Sequence, residues 1–225
     1  MESPTDLLRL PPLPRDFYER PTEEVAQDLL GKVLLRQHDG RCLAGRIVEV
    51  EAYLGAHDLA CHSARGKTAR TAVMFGPGGR TYVYMIYGMY HCLNVVTEPE
   101  GSPCAVLIRA LEPLGLLPGS ASGPGRLCRT LSLDRSLTDH DLSRPPLTLR
   151  DNPRLPPLAP VARSPRIGVD YAGEWAKKPL RFFIDGNPWV SGARSSRARP
   201  LPASPDFLPH SNSLLLEDKK RPSRR

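Results

Sequence analysis

The sequence predicts an α+β fold, with a single domain built around an antiparallel β-sheet. Its 225 residues are enough for one domain that buries most of the surface its unfolded chain exposes. Short segments with the alternation of strands follow one another closely, which favours antiparallel pairing. Helical patterns are few, and this mixture of short strands and few helices is typical of α+β proteins.

The first half of the chain begins with one helix and a hairpin. Residues 1–20 are rich in proline and are expected to lie over the surface or to be loose. A helix is predicted from Thr22 or Glu23 to Leu30, because acidic residues in its first turn suit the helix dipole and Gly31 follows its end. Strands at Lys32–Arg36 and Leu43–Tyr53 are then joined by the turn HDGR.

The second half adds shorter strands, a flexible loop and a tail. Strands are predicted at Thr81–Tyr87, Leu93–Val96, Cys104–Ala110 and near Leu180–Ile184. A Gly/Pro/Ser loop leads into a short helix near Leu127, and the proline-rich residues 144–165 are predicted to be connection rather than core. The ordered domain is expected at 21–193, followed by a basic, disordered tail at 194–225.

Composition favours a cytoplasmic protein. The sequence has no run of 18 apolar residues, so no transmembrane helix is expected, and its N-terminus lacks the apolar core of a secretory signal. Five cysteines without a C-x-x-C motif fit reduced thiols better than a disulfide framework.

The basic charge is concentrated in two places. Of the net charge of +7, the tail from residue 194 contributes +5, with eight basic and three acidic residues. The span Leu59–Thr97 contains no Asp or Glu, although it carries Arg65, Lys67, Arg70 and Arg80. An acid-free span of this kind is where a polyanion such as nucleic acid would bind.

The acid-free span also holds four of the seven tyrosines, in the segment RTYVYMIYGMYHCLNVV. Aromatic residues suit a half-buried strand, so this segment can be a packed strand. The break at Gly88 and the polar Asn94 also fit a set of aromatic plates for a flat ligand. The residues alone leave both interpretations open.

The segment RIVEVEAYLG alternates with a period of two, so Glu49, Glu51 and Tyr53 share one face of a strand. A solvated polar face is one interpretation. A carboxylate beside aromatic residues can also act as a general base on a water molecule. Two carboxylates two residues apart do not obviously flank a bond as in a glycoside hydrolase, and they favour one catalytic and one structural group.

A zinc site is a further alternative for the same region. The side chains of His57, Cys61, His62, His91 and Cys92 include the ligand types that zinc prefers. Their spacing matches no structural-zinc pattern, which makes this alternative weak.

Several long segments together resemble one enzyme family. They are RIVEVEAYLG, MFGPGGRTYVYMIYGMYHCLNVV, AVLIRALEP, GPGRLC and DYAGEWAKKPLRFFIDGNPWVS. In this order they resemble the alkyladenine (3-methyladenine) DNA glycosylase family of the mammalian type, and in particular its bacterial members. The resemblance extends from about residue 21 to residue 191. It implies a curved sheet with surrounding helices, a monomer, double-stranded DNA as the partner, and neither cofactor nor metal.

The resemblance implies a monofunctional DNA glycosylase that starts base excision repair. Its substrates would be damaged purines in duplex DNA: 3-methyladenine, 7-methylguanine, hypoxanthine and ethenoadenine. Because the target bond is inaccessible in the duplex, the nucleotide must be flipped out of the stack. By position, the base pocket would consist of Tyr53, His62, Tyr84 and Asn94. The DNA intercalation and minor-groove residues would be Tyr87, Met89 and Tyr90.

The catalytic residues implied by the resemblance are Glu51, Arg109 and Ile167. Glu51 would activate the attacking water, Arg109 would help to hold that water and Glu51, and the main-chain carbonyl of Ile167 would contact the water. Candidate phosphate contacts are Lys67, Arg70 and Arg126. Among the neighbours of these residues, Glu49 is predicted to be structural and Tyr82 to be a packing residue.

The sequence departs from the family pattern in its loop after RALEP, which is short, and in its basic tail, which has no counterpart in the motifs. A nucleic-acid binder that uses tyrosine stacking without chemistry is the alternative function. A metal-dependent hydrolase is a third. Chelators should abolish the activity of a metal-dependent hydrolase but not that of a metal-free glycosylase. A protein that only binds nucleic acid would tolerate the loss of Glu51.

Overall fold

The computed structural model describes residues 4–115, 117–192 and 199–200. The α-helices of this part are α1 Pro4–Leu7, α2 Arg15–Tyr18, α3 Thr22–Leu29, α4 Pro124–Thr130 and α5 Glu174–Lys177. The strands are β1 Val33–His38, β2 Arg41–Tyr53, β3 Thr81–Ile86, β4 Tyr90–Thr97, β5 Cys104–Pro113, β6 Leu147–Arg150, β7 Val161–Ser164, β8 Arg181–Ile184 and β9 Arg199–Pro200. Short 3₁₀ helices lie at Gly55–His57, His62–Arg65, Ala72–Phe75, Arg135–Leu137 and Asp170–Ala172.

The strands form one sheet around the long strand β2. One edge of β2 pairs with β5, and the order continues through β4 to β3. The other edge pairs with β1 at the start of β2 and with β8 near its end. From there β1 leads to β6, and β8 leads to β7 and β9. Every one of these pairings is antiparallel, which confirms the predicted α+β fold.

The predicted alternation of β2 is present, and one face of the strand enters the core. Val48, Val50 and Ala52 belong to the main hydrophobic cluster. Glu49 and Glu51 lie on the opposite face, but both are completely buried. A solvated polar face is therefore the wrong interpretation of this strand, since other groups cover the carboxylates.

A double irregularity interrupts the ladder between β2 and β5. Glu49 pairs with Ala110 and Val50 pairs with Ile108, so Arg109 is left as an extra, unpaired residue of β5. Bulges re-aim side chains and are common beside active sites. This one turns Arg109 toward the carboxylate face of β2.

The helix at Thr22–Leu29, the short helix at Pro124–Thr130 and the strand at Arg181–Ile184 confirm their predictions. The prediction that 144–165 is connection rather than core is wrong in two places. Strand β6 is fully buried beside β1, and β7 pairs with β8. Partners elsewhere in the sheet, rather than local propensity, make these two short segments strands.

The N-terminal segment is packed rather than loose. Leu7 joins a small cluster against β1 and β2, while Leu13 and Tyr18 enter the main core. The main-chain N–H of Leu13 also donates to the carbonyl of Leu149 at 2.8 Å. Residues 7–18 therefore stabilise the sheet instead of merely covering it.

Two sequence predictions concern the C-terminal tail and the membrane. Within the tail only β9 is described, and its pairing with β7 is incompatible with disorder at those two residues. The rest of the predicted disordered tail lies outside the described residues.

Among the helices of the described part, none has the length and apolar character needed to cross a bilayer.

Candidate active site

A cavity of about 410 Å³ opens where strands β3, β4 and β5 meet the loops after β2 and β7. Its volume falls within the usual range of small-ligand sites. Most of the predicted site residues contribute to its wall, namely Tyr53, His62, Arg70, Tyr84, Tyr87, Asn94, Arg109 and Ile167. Segments far apart in the sequence therefore converge on one concave site.

Glu51 lies directly behind this wall. Its carboxylate accepts a hydrogen bond from the Tyr53 hydroxyl at 2.9 Å and from the main-chain N–H of Ile167 at 2.8 Å. The Arg109 guanidinium lies 3.2 Å away. Because all three partners line the cavity, Glu51 is a buried carboxylate held at the edge of a ligand site.

Glu49 is held by more contacts, and of its partners only Arg109 lines the cavity. It accepts from the Nε atoms of Arg109 and Arg181, each at 2.7 Å. The main-chain N–H and the hydroxyl of Ser191 donate to it at 2.6 and 2.9 Å. Burial alone would raise the pKa of Glu49, but the two arginines and Ser191 lower it below its ordinary value. These contacts support the structural role predicted for this residue.

Arg109 connects the two carboxylates. Burial would lower its pKa, but Glu51 and Glu49 raise it above the ordinary value. Its Nη2 also donates to the Ser191 hydroxyl at 3.2 Å. The guanidinium is therefore a fixed cation, aimed by the bulge of β5 at both carboxylates.

The upper wall of the cavity is aromatic. His62 meets Tyr84 edge-on with ring centroids 4.5 Å apart, and Tyr84 lies 5.4 Å from Tyr82. The Tyr82 hydroxyl is 2.9 Å from Nδ1 of His62. Tyr82 is thus packed as predicted, but it also fixes the imidazole ring, a role that its place in an alternating strand did not reveal.

The aromatic side chains of this wall are kept neutral. Burial, together with the charges of Arg70 and Arg65, lowers the pKa of His62 to about 4. Burial and the nearby Glu51 raise the pKa of Tyr53 well above its ordinary value, and burial likewise raises that of Tyr84. Neutral rings of this kind suit the stacking of a flat aromatic ligand.

A buried ion pair positions two loops around the cavity. Arg166 donates to both carboxylate oxygens of Asp58 at 2.5 and 2.8 Å, and its guanidinium carbon lies 4.6 Å from the centroid of Tyr53. Asp58 also accepts from the main-chain N–H groups of Leu54 and Ala60. The sequence predictions missed this pair, although an Arg directly before Ile167 was a signal that could have found it.

The β3–β4 hairpin presents an exposed tyrosine beside the cavity. Tyr87 is 84% exposed and has a φ of +50°, and Gly88 follows with a φ of +69°. The N–H of Met89 closes the turn on the carbonyl of Ile86, and Met89 is 65% exposed. A positive φ costs free energy for a tyrosine, and such strain is concentrated at functional sites.

Comparison with known proteins identifies the family. The profile of a family described as methylpurine-DNA glycosylase matches residues 16–188. The chain belongs to this family. Membership makes the protein a DNA glycosylase, an enzyme that hydrolyses N-glycosyl bonds in DNA repair, and confirms the resemblance found in the sequence.

Individual relatives are similar over almost their whole length. A Myxococcus xanthus (strain DK1622) protein is 52% identical over 191 residues, covering 84% of this chain and 98% of its own. A Legionella pneumophila (strain Corby) protein is 54% identical over 180 residues, covering 80% and 97%. A Methanocella arvoryzae protein is 51% identical over 196 residues, covering 81% and 96%. All three are named "Putative 3-methyladenine DNA glycosylase".

The remaining predicted residues of the glycosylase lie outside the cavity wall. Tyr90 packs on Gly125, under the guanidinium of Arg129 at 5.5 Å from its ring centroid. Lys67 and Arg126 are exposed, and the Lys67 ammonium lies 5.6 Å from the centroid of Phe75. Their predicted contacts with DNA phosphates stay predictions.

The candidate zinc ligands are dispersed. His57 packs edge-on against Trp175 with centroids 5.3 Å apart, and the Cys61 thiol contacts the Ser63 hydroxyl at 3.1 Å. Within residues 4–115, 117–192 and 199–200, no three His, Cys, Asp or Glu side chains are grouped as a metal site requires. The described part of the glycosylase thus offers the zinc alternative no ligand set.

Proposed function

We propose that this glycosylase releases damaged purines from duplex DNA by flipping the nucleotide into the aromatic cavity and hydrolysing its N-glycosidic bond. The bases proposed are 3-methyladenine, 7-methylguanine, hypoxanthine and ethenoadenine. The observation that carries the proposal is a fully buried carboxylate, Glu51, fixed by three donors directly behind a cavity with tyrosine walls. The protein would act as a monomer in the cytoplasm, on double-stranded DNA.

Capture of the base depends on the neutral aromatic wall. The rings of Tyr53, His62 and Tyr84 surround the cavity, and an alkylated, positively charged purine gains attraction from a tyrosine face. The Asn94 amide nitrogen donates to the carbonyl of Tyr82 at 3.1 Å, so its side chain has a fixed position in the wall. An immobile group there would exclude ordinary guanine by crowding its 2-position.

Bond cleavage is assigned to Glu51 and its partners. Glu51 would orient the water and accept its proton as the water attacks the sugar C1′, while its negative charge stabilises the developing oxocarbenium ion. Arg109 and Ile167 fix the carboxylate in the unbound enzyme. The Ile167 carbonyl would supply a main-chain contact to the water, so replacement of its side chain by another aliphatic one should matter little.

Flipping is assigned to the exposed hairpin. Tyr87 stands at the tip of the turn and also contributes to the cavity wall. It would occupy the space left by the extruded nucleotide and partly offset the lost base stacking, with Met89 and Tyr90 along the minor groove. Gly88 has open space around its α-carbon, which allows a close approach of the backbone to DNA.

The test uses a labelled duplex with one central hypoxanthine and three proteins: wild type, Glu51→Gln and Glu112→Gln. The control removes a half-buried carboxylate that accepts from Asn187 at 3.3 Å. After incubation in EDTA, alkali cleaves any abasic sites. Cleavage by wild type and Glu112→Gln but not by Glu51→Gln, with equal DNA binding, is the expected result.

Three other outcomes would contradict the proposal. Undiminished cleavage by Glu51→Gln would remove the general base from the mechanism. Binding without cleavage by all three proteins, repeated with 3-methyladenine DNA, would indicate a chain that has kept the fold as a damage binder. Loss of wild-type cleavage in EDTA alone would indicate a metal-dependent enzyme.

A further inference from the structure

Arg70 is a solvent-exposed cation at the rim of the base-binding wall. Its Nε donates to the Tyr82 hydroxyl at 3.2 Å, and its guanidinium carbon lies 5.3 Å from the ring centroid of Tyr84. The side chain lines the cavity. The guanidinium is thus in contact with two tyrosines of the pocket, in addition to any contact that it makes with a DNA phosphate.

The charge of Arg70 is not neutralised locally. The other guanidinium of the wall, Arg109, is paired with Glu49 and Glu51. Among the residues that the structure describes, no carboxylate lies within ion-pair distance of Arg70. The span 59–97 that surrounds it in the sequence contains no acidic residue at all. The aromatic side of the cavity therefore carries an uncompensated positive charge.

We propose that Arg70 is a selectivity residue that favours neutral damaged purines over cationic ones. This inference rests on the proposed function, because it concerns which bases the same cavity accepts. A purine alkylated on a ring nitrogen, such as 7-methylguanine, carries a positive charge in DNA, whereas hypoxanthine is neutral. Arg70 repels the first and not the second.

The repulsion acts through the ring of Tyr84. The face of an aromatic ring attracts cations, but a guanidinium near the ring already uses part of that attraction. Because Arg70 and Tyr84 line the same cavity, a purine stacked on this ring at about 3.5 Å would lie no more than about 9 Å from the guanidinium. Because Arg70 is solvent-exposed, the effective dielectric constant lies between about 20 and about 80, and two unit charges at that separation change the relative rates by about two- to twentyfold.

Arg70 also touches the group that fixes His62. The Tyr82 hydroxyl accepts from Arg70 and lies 2.9 Å from the Nδ1 of His62. A substitution of Arg70 can therefore disturb the position of the imidazole as well as the charge of the wall. Tyr82→Phe breaks the hydrogen-bonded link but keeps the cation, so it separates the two effects.

The experiment compares single-turnover release of 7-methylguanine and of hypoxanthine from otherwise identical duplexes, with enzyme in excess of DNA but below saturation, so that each rate constant includes capture of the base in the pocket. The pH is kept below that at which the 7-methylguanine ring loses a proton. The variants are Arg70→Gln, Arg70→Lys, Tyr82→Phe and Lys67→Gln. Lys67 is the matched control, because it is a cation of the same loop that packs on Phe75 instead of the pocket.

The measured quantity is the ratio of the two rate constants, which cancels any general loss of DNA affinity or of folded enzyme. Arg70→Gln should raise the 7-methylguanine to hypoxanthine ratio about fivefold. Arg70→Lys, Tyr82→Phe and Lys67→Gln should leave it within about twofold of wild type.

Two outcomes would overturn the inference. An unchanged ratio in Arg70→Gln would show that the charge has no effect on base choice. An equal rise in Tyr82→Phe would show that the position of His62, rather than charge, sets the ratio. In both cases wild-type release of the two bases leaves the proposed function intact, whereas a wild type that releases neither base contradicts the proposed function itself.

Discussion

Glu49→Gln should make the protein unfold at a much lower urea concentration, while leaving the chemistry proposed for Glu51 in place. The substitution keeps the size of the side chain but removes a buried negative charge that accepts four hydrogen bonds. Arg109 retains Glu51 as a partner. Arg181 retains only neutral acceptors, the Ser164 hydroxyl at 3.0 Å and the carbonyl of Ser191 at 2.9 Å.

The size of the loss in stability follows from Arg181, whose buried charge the substitution leaves without a carboxylate partner. Removal of one partner of a buried ion pair costs about 3–5 kcal/mol, because the other charge stays buried without compensation. The new amide group also places an N–H where every neighbour is a donor, which adds to the cost. For a domain of this size such a loss corresponds to a decrease in Tm of about 10 °C.

The assay is urea unfolding followed by circular dichroism, with Glu51→Gln as the matched variant. Glu51 accepts from two neutral donors and lies at the longer distance from Arg109, so its substitution should cost much less stability and most of the activity. If Glu49→Gln loses less than about 1 kcal/mol, or if Glu51→Gln is the more destabilised of the two, the division of roles is refuted.

Three further results are expected. The pKa of His62 is about 4 in the folded protein and about 6.5 in the unfolded chain, so the free energy of unfolding should fall by about 1–2 kcal/mol as pH decreases through this interval. His62→Gln should lack this part of the decrease. Parallel curves of unfolding free energy against pH for the two proteins would contradict the prediction. Tyr87→Ala should slow hypoxanthine release from duplex far more than from single strands, and an equal loss on both would exclude a wedge. A 1–193 truncation should lower both DNA affinity and its salt dependence relative to the full chain, which filter binding at several salt concentrations would measure.

Helices and strands whose sequence pattern lies within their own residues could be predicted from that pattern alone. The alternation of β2 and the Asp-Gly turn before it predicted a hairpin that the structure contains, with positive φ at both Asp39 and Gly40. Strands β6 and β7 were missed because each has four residues in a proline-rich region. Their ordering depends on β1 and β8, which are distant in the sequence, and no local pattern encodes that pairing.

The sequence could name residues of the candidate site, but it could not predict which hydrogen bonds join them. Of the residues named by the resemblance, Tyr53 and His62 line one cavity, and Glu51 accepts from Tyr53 behind its wall, while their roles there stay predictions. The hydroxyl contacts of Tyr82 and the position of Arg70 depend on how a loop folds over β3, which strand periodicity cannot specify. Charged residues in otherwise apolar strands, such as Arg181 within PLRFFI, were the available signal of the buried ion-pair network.

The branching of the sheet explains why two neighbouring carboxylates can have different roles. Glu49 and Glu51 both lie between β5 and β8, but the arginines of these two strands, Arg109 and Arg181, each make their 2.7 Å contact with Glu49. Glu51 lies nearer the end of β2, where loops supply neutral donors such as the N–H of Ile167, and Arg109 is 3.2 Å away. The positive charges of Arg109 and Arg181 equal the negative charges of the two glutamates, but both arginines make their closest contacts with Glu49. The least compensated negative charge is therefore that of Glu51, behind the cavity wall, where the proposed mechanism places the positive charge that develops on the sugar.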